Sequence, residues 1–145
     1  MSAALTLTGQ LRLVGTVLVL IGLAHLAMPR ILAWPRQFTA LPPLTRQIMH
    51  THTFFIGVTC VLFGLAPLTL TAELMTPGRL SKAGLSAECV FWALRWCAQF
   101  IAFPPALWRG SRLHTAGYIG FAVLWTWIVA VFATALVGSL TASQH

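Results

Sequence analysis

The chain has 145 residues, of which 58% are hydrophobic and only 8% are charged, and its formal net charge is +7. Because a soluble domain is about a quarter charged, this composition excludes an ordinary water-soluble protein. The positive charge does not indicate nucleic-acid binding, since the basic residues occur in ones and twos between apolar segments, whereas a nucleic-acid-binding face clusters them.

Four segments approach the length that crosses a bilayer as a helix, which is about 20 apolar residues. A helix suits the hydrocarbon because it satisfies its own backbone hydrogen bonds. The sequence therefore predicts an all-α fold, a single four-helix transmembrane bundle in up-down-up-down order with both termini on one side. The expected spans are 11–28, 50–71, 87–105 and 114–138.

The first span contains one basic residue, Arg12, and no small-residue cleavage site follows its apolar run. We therefore expect a retained helix and not a cleaved signal peptide. The connection after it contains prolines at positions 29, 35, 42 and 43, which cannot continue a helix. Pro43 is expected to open the second helix, and Trp34 and Phe38 suit the headgroup region.

The second connection contains Pro77 and Gly78, a pair that marks a turn. Ser86 is expected to cap the third helix, because its side-chain oxygen accepts a hydrogen bond from an N–H of the first turn. Glu88 then lies in that first turn, where a carboxylate complements the helix dipole. The sequence thus predicts that the third helix begins near residue 87.

The basic residues favour one orientation in the membrane. The first and third connections carry Arg30, Arg36, Arg46, Arg109 and Arg112, whereas the side of the termini carries Arg12, Arg79 and Lys82. Cytoplasmic loops carry the excess of Lys and Arg. The sequence therefore predicts that the first and third connections are cytoplasmic, in a membrane of the bacterial inner-membrane type.

Four histidines are expected at the same membrane face. His25 lies near the end of the first span, His50 and His52 open the second, and His114 opens the fourth. These ends meet because consecutive helices run in opposite directions, whereas His145 ends the chain. His50 and His52 are two residues apart and point in nearly opposite directions. We expect His52, the deeper of the two, to face the bundle centre.

A second group of polar residues is expected in the same half of the bilayer. Arg95 and Gln99 are four residues apart and share a face of the third helix, and Trp92 continues that stripe. Tyr118 follows His114 by one turn on the fourth helix. An ionisable residue at this depth faces the bundle interior and finds a partner. The predicted ligand pocket consists of Arg95, Gln99, Tyr118, Trp92 and Trp96.

The sequence offers Arg95 no nearby carboxylate. The chain has two acidic residues. Glu73 lies in the second connection, at the other membrane face, and Glu88 is about 10 Å away along the same helix. The partners left open for Arg95 are backbone carbonyls, Gln99, an acidic residue of a partner subunit, and a bound anion.

The first functional interpretation is a redox protein whose metal is held by histidine. Imidazole is the commonest metal ligand, and the scarcity of carboxylates disfavours a di-iron site or a facial triad. The cofactor would be haem b, with its propionates near the arginines, or copper or zinc, and the activity electron transfer or membrane redox chemistry. The candidate ligands are His25, His52, His114 and His50.

Two further interpretations need no metal. One is a pocket for an anionic or quinone-like amphiphile, in which a histidine exchanges protons. The other is an accessory subunit, in which Arg95 pairs with a neighbouring membrane protein and small-residue pairs, Gly15/Gly22 and Gly117/Gly120, supply packing surfaces. The expected partners are the lipid bilayer and either a second membrane protein or a second copy of the chain, without nucleic acid. The sequence leaves open whether the protein is an enzyme.

Overall fold

The computed structural model describes residues 2–142, and the regular structure in that range is entirely helical. In chain order the helices are α1 (Ser2–Ile31), α2 (Trp34–Gln37), α3 (Pro43–Thr69), α4 (Thr71–Met75), α5 (Arg79–Ile101) and α6 (Arg112–Thr141). Two short 3₁₀ turns lie at Phe38–Ala40 and Pro105–Leu107. The prediction of an all-α fold is confirmed.

Three helices are long and apolar enough to cross a membrane, namely α1 from Thr6 to Ile31, α3 and α6. They support an association with the membrane. Helix α5 has 23 residues, which is about 35 Å at 1.5 Å per residue, but polar side chains interrupt its apolar sequence. These are Arg79, Lys82, Glu88, Arg95 and Gln99. A fourth crossing by α5, and with it the four-helix membrane bundle, stays a prediction.

The described chain divides into two compact units, each built around a pair of long helices. The α1–α3 unit is Leu11–Thr71. The α5–α6 unit begins at Ala72 and also includes the N-terminal residues up to Gln10. The expectation of a single four-helix domain stays a prediction.

Helices α1 and α3 approach to backbone contact at two levels. A Cβ atom on Gly15 would lie 2.6 Å from the carbonyl oxygen of Gly64, and one on Gly22 would lie 2.6 Å from that of Gly57. Only residues without a side chain permit this approach. Gly15 and Gly22 therefore pack inside the chain, against two glycines with the same seven-residue spacing on α3. A packing surface for a partner subunit stays a prediction.

Helix α1 continues past Pro29, so the expectation that Pro29 cannot continue a helix is wrong. Because this proline lies in the last turn, the hydrogen bond that it cannot donate is missing only at the end of the helix. The connection to α3 turns at Ala33, whose φ of 50° lies in the left-handed region. Trp34 follows, is only 8% exposed, and packs against Phe38 at a distance of 4.8 Å between ring centroids. Helix α3 begins at Pro43, as predicted, because a proline in the first turn loses no helical hydrogen bond.

Helix α5 begins at Arg79 and not near residue 87. Ser86 and Glu88 therefore lie inside the helix, and their predicted roles as cap and first-turn carboxylate are wrong. The residue before the helix is Gly78, in an extended conformation, and the Ser81 hydroxyl donates to its carbonyl oxygen at 3.0 Å. The first turns contain Arg79 and Lys82, which are good helix formers, so the helix starts well before its apolar run.

Most of the buried residues of α5 and α6 follow one another at intervals of three, four or seven. On α5 they are Ser81, Leu85, Glu88, Trp92 and Gln99, and on α6 they are Trp125, Ile128, Val131, Phe132, Ala135 and Ser139. This spacing is typical of helices that pack side by side at a small angle. One consequence is that α5 directs polar as well as apolar side chains into the contact with α6.

Candidate functional site

Two tryptophans lie at the centre of the contact between α5 and α6. The rings of Trp92 and Trp125 are stacked, with centroids 5.5 Å apart and an angle of 7° between their planes. Phe121, one turn before Trp125, continues the stack at 6.3 Å and 16°. Trp92 and Trp125 are buried, and an aromatic pair of this kind contributes about 0.5–1.5 kcal/mol beyond its area.

Arg95 lies against this aromatic pair. Its Cζ atom is 4.7 Å from the ring centroid of Trp125, and its Nη1 donates to Oε1 of Gln99 at 3.4 Å. The prediction that Arg95 and Gln99 share a face of the helix is therefore confirmed. The face of an indole ring attracts a guanidinium, and more strongly where water is excluded. Gln99 is only 4% exposed, so a buried amide lies next to the cation.

Glu88 is hydrogen-bonded to Trp92, the other ring of the pair. One of its carboxylate oxygens accepts a hydrogen bond from Nε1 of Trp92 at 2.9 Å, and Glu88 itself is 4% exposed. The stacked tryptophans thus join two charged residues of α5, with the Glu88 carboxylate on Trp92 and the Arg95 guanidinium on Trp125. The first-turn role predicted for Glu88 did not include this contact.

The remaining predicted pocket residues have other contacts. Nε1 of Trp96 donates to the Thr126 hydroxyl at 2.8 Å. The Tyr118 ring stacks on Trp108, with centroids 4.4 Å apart and planes at 11°. Trp92 and Arg95 thus contact Trp125, and Gln99 contacts Arg95. Tyr118 of α6 instead contacts Trp108, which lies in the connection between the two helices.

Trp125 is the residue of this site that sequence reasoning missed. The predicted site took only His114 and Tyr118 from the uncharged span that contains Trp125. A signal was present, since Trp125, Ile128 and Phe132 are three and four residues apart, the period of a buried helical stripe. The Nε1–H group of Trp125 is buried and has no hydrogen-bond partner among the described residues.

The histidines of the α1–α3 unit differ in their surroundings. His25 is half-buried, and its Nδ1 lies 2.8 Å from the carbonyl oxygen of Ile21. Since a carbonyl only accepts, Nδ1 carries the proton, and in the neutral ring the lone pair is on Nε2. His50 is half-buried against Trp34 and Phe38, at centroid distances of 5.6 and 6.2 Å.

His52 and His114 are both exposed. Trp34 and Phe38 lie against His50 and not His52, and the expectation that His52 faces a bundle centre stays a prediction. The backbone N–H of His114 donates to the Ser111 hydroxyl at the start of α6, at 3.4 Å. That His114 lies close to the histidines of the α1–α3 unit stays a prediction. His145 lies outside the described residues.

Among the described residues, no group of three or more His, Cys, Asp or Glu side chains could hold a metal ion. No protein-family model matches the chain, and no curated protein or solved structure matches it either. Function is therefore argued from the side chains of the site, since a helical bundle alone does not specify one.

Proposed function

We propose that this protein is a four-helix integral membrane protein that binds an anionic or quinone-like amphiphile beside the Trp92–Trp125 pair. The observation that carries the proposal is the position of Arg95, whose guanidinium lies 4.7 Å from the Trp125 ring and within hydrogen-bonding distance of Gln99. A cation, an amide and two stacked rings meet there on one hairpin.

The chemistry follows from the geometry of the guanidinium. Its N–H donors lie in its own plane, so a guanidinium that lies over a ring directs them around its edge. A carboxylate, a phosphate or a quinone carbonyl accepts hydrogen bonds from such an edge, and the Gln99 amide adds a second polar group. Because Gln99, Trp92 and Trp125 are buried and Arg95 is half-buried, a hydrogen bond made here is stronger than one on a fully exposed surface. The indole rings offer flat apolar faces to a quinone ring or an alkyl chain.

Ligand binding by Arg95 variants tests this proposal. Delipidated protein in detergent is titrated with a short-chain quinone and, separately, with a fatty acid, and binding is followed by native mass spectrometry. Arg95→Gln removes the charge and is expected to weaken binding of the fatty acid at least about tenfold, the loss of a charge-assisted hydrogen bond. Arg95→Lys keeps the charge but not the planar donors and should give an intermediate affinity.

Arg12→Gln is the matched control, because Arg12 is an exposed arginine of another helix. It should bind both probes as the wild type does. Equal binding by the wild type and Arg95→Gln would contradict the proposal. If Arg95→Gln instead bound normally but no longer co-purified with another membrane protein, the accessory-subunit interpretation would replace it.

The proposed membrane topology places the first and third connections in the cytoplasm of a bacterial-type inner membrane. The five arginines of those connections support it. The test starts from a chain whose native cysteines, Cys60, Cys89 and Cys97, are replaced by Ala. Single cysteines at Thr39 or Ser111 should then react with an impermeant maleimide only after the cells are opened, whereas one at Thr76 should react in intact cells. Labelling of the Ser111→Cys variant in intact cells would reverse the orientation.

A second candidate function is electron transfer through haem b or through copper or zinc held by histidine. It is favoured by His25, whose Nδ1 is oriented by the Ile21 carbonyl at 2.8 Å. Metal-ligating histidines commonly fix their second nitrogen in this way, which leaves Nε2 for a metal.

A visible spectrum and a metal determination on the purified protein test this second candidate. A Soret band, or stoichiometric copper or zinc, would support this candidate if it were lost in His25→Ala. A preparation that remains colourless and metal-free after growth with added haem and metals would count against it.

A further inference from the structure

The connection between α5 and α6 holds Trp108 in a fixed position. Its Nε1 donates to the carbonyl oxygen of Phe103 at 3.2 Å, and its own carbonyl accepts from the Thr115 hydroxyl at 3.0 Å. Tyr118 stacks on its ring at 4.4 Å. These contacts join residues from both sides of the connection to Trp108, so its indole ring has a defined position and orientation.

A guanidinium lies over that ring. The Cζ atom of Arg109 is 5.4 Å from the ring centroid of Trp108, and a second exposed arginine, Arg112, begins α6. Segment 102–120 contains these two arginines and His114 but no acidic residue. The connection therefore presents a concentrated positive charge on an aromatic platform, a combination suited to the headgroup region of a membrane.

A hollow in the surface begins beside this charge and follows α6. It is lined by Gly110, Ser111, Arg112, Thr115, Ala116 and Ile119. The lining is polar near the connection and apolar further along the helix. Ile119 lies about 10 Å beyond Arg112 along the helix axis, at 1.5 Å per residue. The hollow thus has the polarity gradient of a lipid, with its charged end at Arg112, close in sequence to Arg109.

We propose that this hollow binds a single anionic phospholipid, such as phosphatidylglycerol. Its phosphate accepts hydrogen bonds from Arg109 and Arg112, and the first part of one acyl chain lies along Ala116 and Ile119. Arginine suits this role because its planar donors pair with two phosphate oxygens at once. Because stacking on Trp108 already restricts the Arg109 side chain, this side chain loses less conformational entropy when the phosphate binds.

The apolar continuation of the hollow distinguishes a lipid from free phosphate. Inorganic phosphate would need only the two arginines and would gain nothing from Ala116 or Ile119. A phospholipid would contact both the arginines and the apolar end of the hollow. A bulky side chain at Ala116 therefore blocks a lipid but leaves an ion site intact.

Native mass spectrometry of the full-length protein tests the proposal. The protein is transferred from nanodiscs containing equal amounts of phosphatidylglycerol and phosphatidylcholine, and the lipid retained on it is counted. We expect one phosphatidylglycerol to be retained in preference to phosphatidylcholine. Arg112→Gln should lower that retention about fivefold, since one basic residue near an anionic lipid contributes a factor of this size. Ala116→Trp should lower it while leaving every charge in place.

Arg79→Gln is the control, because Arg79 is an exposed arginine at the start of α5, the end of that helix far from this connection. It should retain phosphatidylglycerol as the wild type does. The proposal is overturned if Arg112→Gln also retains it normally, or if Arg79→Gln loses as much of it. Inorganic phosphate at millimolar concentration could also displace the lipid while Ala116→Trp retains it normally. The hollow would then recognise only an anion, and the proposal would equally be overturned.

Discussion

The indole rings of Trp92 and Trp125 lie parallel at 5.5 Å, yet among the described residues only the N–H group of Trp92 has a hydrogen-bond partner, which is Glu88. Both rings are buried, and Arg95 and Phe121 also lie against Trp125. Phenylalanine keeps an aromatic ring at either position, so the main difference between the two substitutions is the hydrogen bond of Trp92.

Replacing each tryptophan by phenylalanine measures the contribution of that hydrogen bond. Both changes keep a stacked aromatic ring and remove similar volume, but Trp92→Phe also breaks the bond to Glu88 and leaves a buried carboxyl group without it. Trp92→Phe should therefore lower the free energy of unfolding by about 1–3 kcal/mol more than Trp125→Phe does. Reversible unfolding in mixed detergent micelles measures both. Equal losses would mean that the Glu88 bond adds nothing to the stability of the hairpin.

Glu88 itself is the subject of the second prediction. Glu88→Gln keeps an oxygen that accepts the Trp92 N–H and should cost less than about 1 kcal/mol, whereas Glu88→Leu leaves that buried N–H unbonded and should cost about 1–3 kcal/mol. Unfolding of both variants in the same micelles provides the comparison. A leucine variant as stable as the glutamine variant would show that the N–H finds another acceptor.

The third prediction concerns glycines on two helices. Alanine at Gly15 or Gly64 places a methyl group within 2.6–2.8 Å of a carbonyl oxygen of the facing helix, so the helices must separate and stability must fall, by about 1–3 kcal/mol for an overpacked contact. Among the described residues, no neighbouring side chain or facing backbone would lie within 4 Å of a Cβ atom at Gly117 or Gly120. Alanine there should be neutral or should stabilise by up to about 1 kcal/mol through helix propensity.

Thermal denaturation of the single-alanine variants in one detergent distinguishes the two sets of glycines. A lower melting temperature is expected for the Gly15 and Gly64 variants only. Similar melting temperatures for all of them would contradict the close approach of α1 and α3. A large loss from the Gly120 variant would instead show that this face of α6 is covered in the purified protein.

The fourth prediction concerns the tautomer of His25. Its ring Nδ1 is 2.8 Å from the Ile21 carbonyl oxygen, so the neutral ring should carry its proton on Nδ1, the less common tautomer in water. Long-range ¹⁵N–¹H correlation spectra of histidine-labelled protein at alkaline pH distinguish the two forms. Exposed His52 and His114 serve as internal references and should show mainly the Nε2–H form. A His25 spectrum like theirs would remove the structural support for a metal ligand there.

Much of the helical architecture could be predicted from residue type alone. Long apolar runs and the proline at position 43 located α3, and the uncharged run before residue 138 located α6. The start of α5 could not be located in this way. A helix that begins with Arg79 and Lys82 looks like a connection when apolar length is the criterion, although both residues favour helix.

The candidate site was predictable within a helix but not between helices. The spacing of Arg95 and Gln99 sets their common face, because both positions follow from the helical period. Contact of Arg95 with Trp125 depends on how far α6 is shifted along α5, and no local pattern reports that shift. The contact of His50 with Trp34 could not be predicted for a related reason, since depth along α3 says nothing about which side of the helix Trp34 covers.

The glycine contacts of α1 and α3 permit a single alignment of the two helices. If α1 slid by one turn, Leu11 or Val19 would arrive where Gly15 now lies, and its side chain would collide with the carbonyl oxygen of Gly64. Neighbouring side chains cannot yield, because the obstacle is main chain. We therefore expect a hairpin whose helices pair out of register to be less stable than the observed alignment, because its helices must separate.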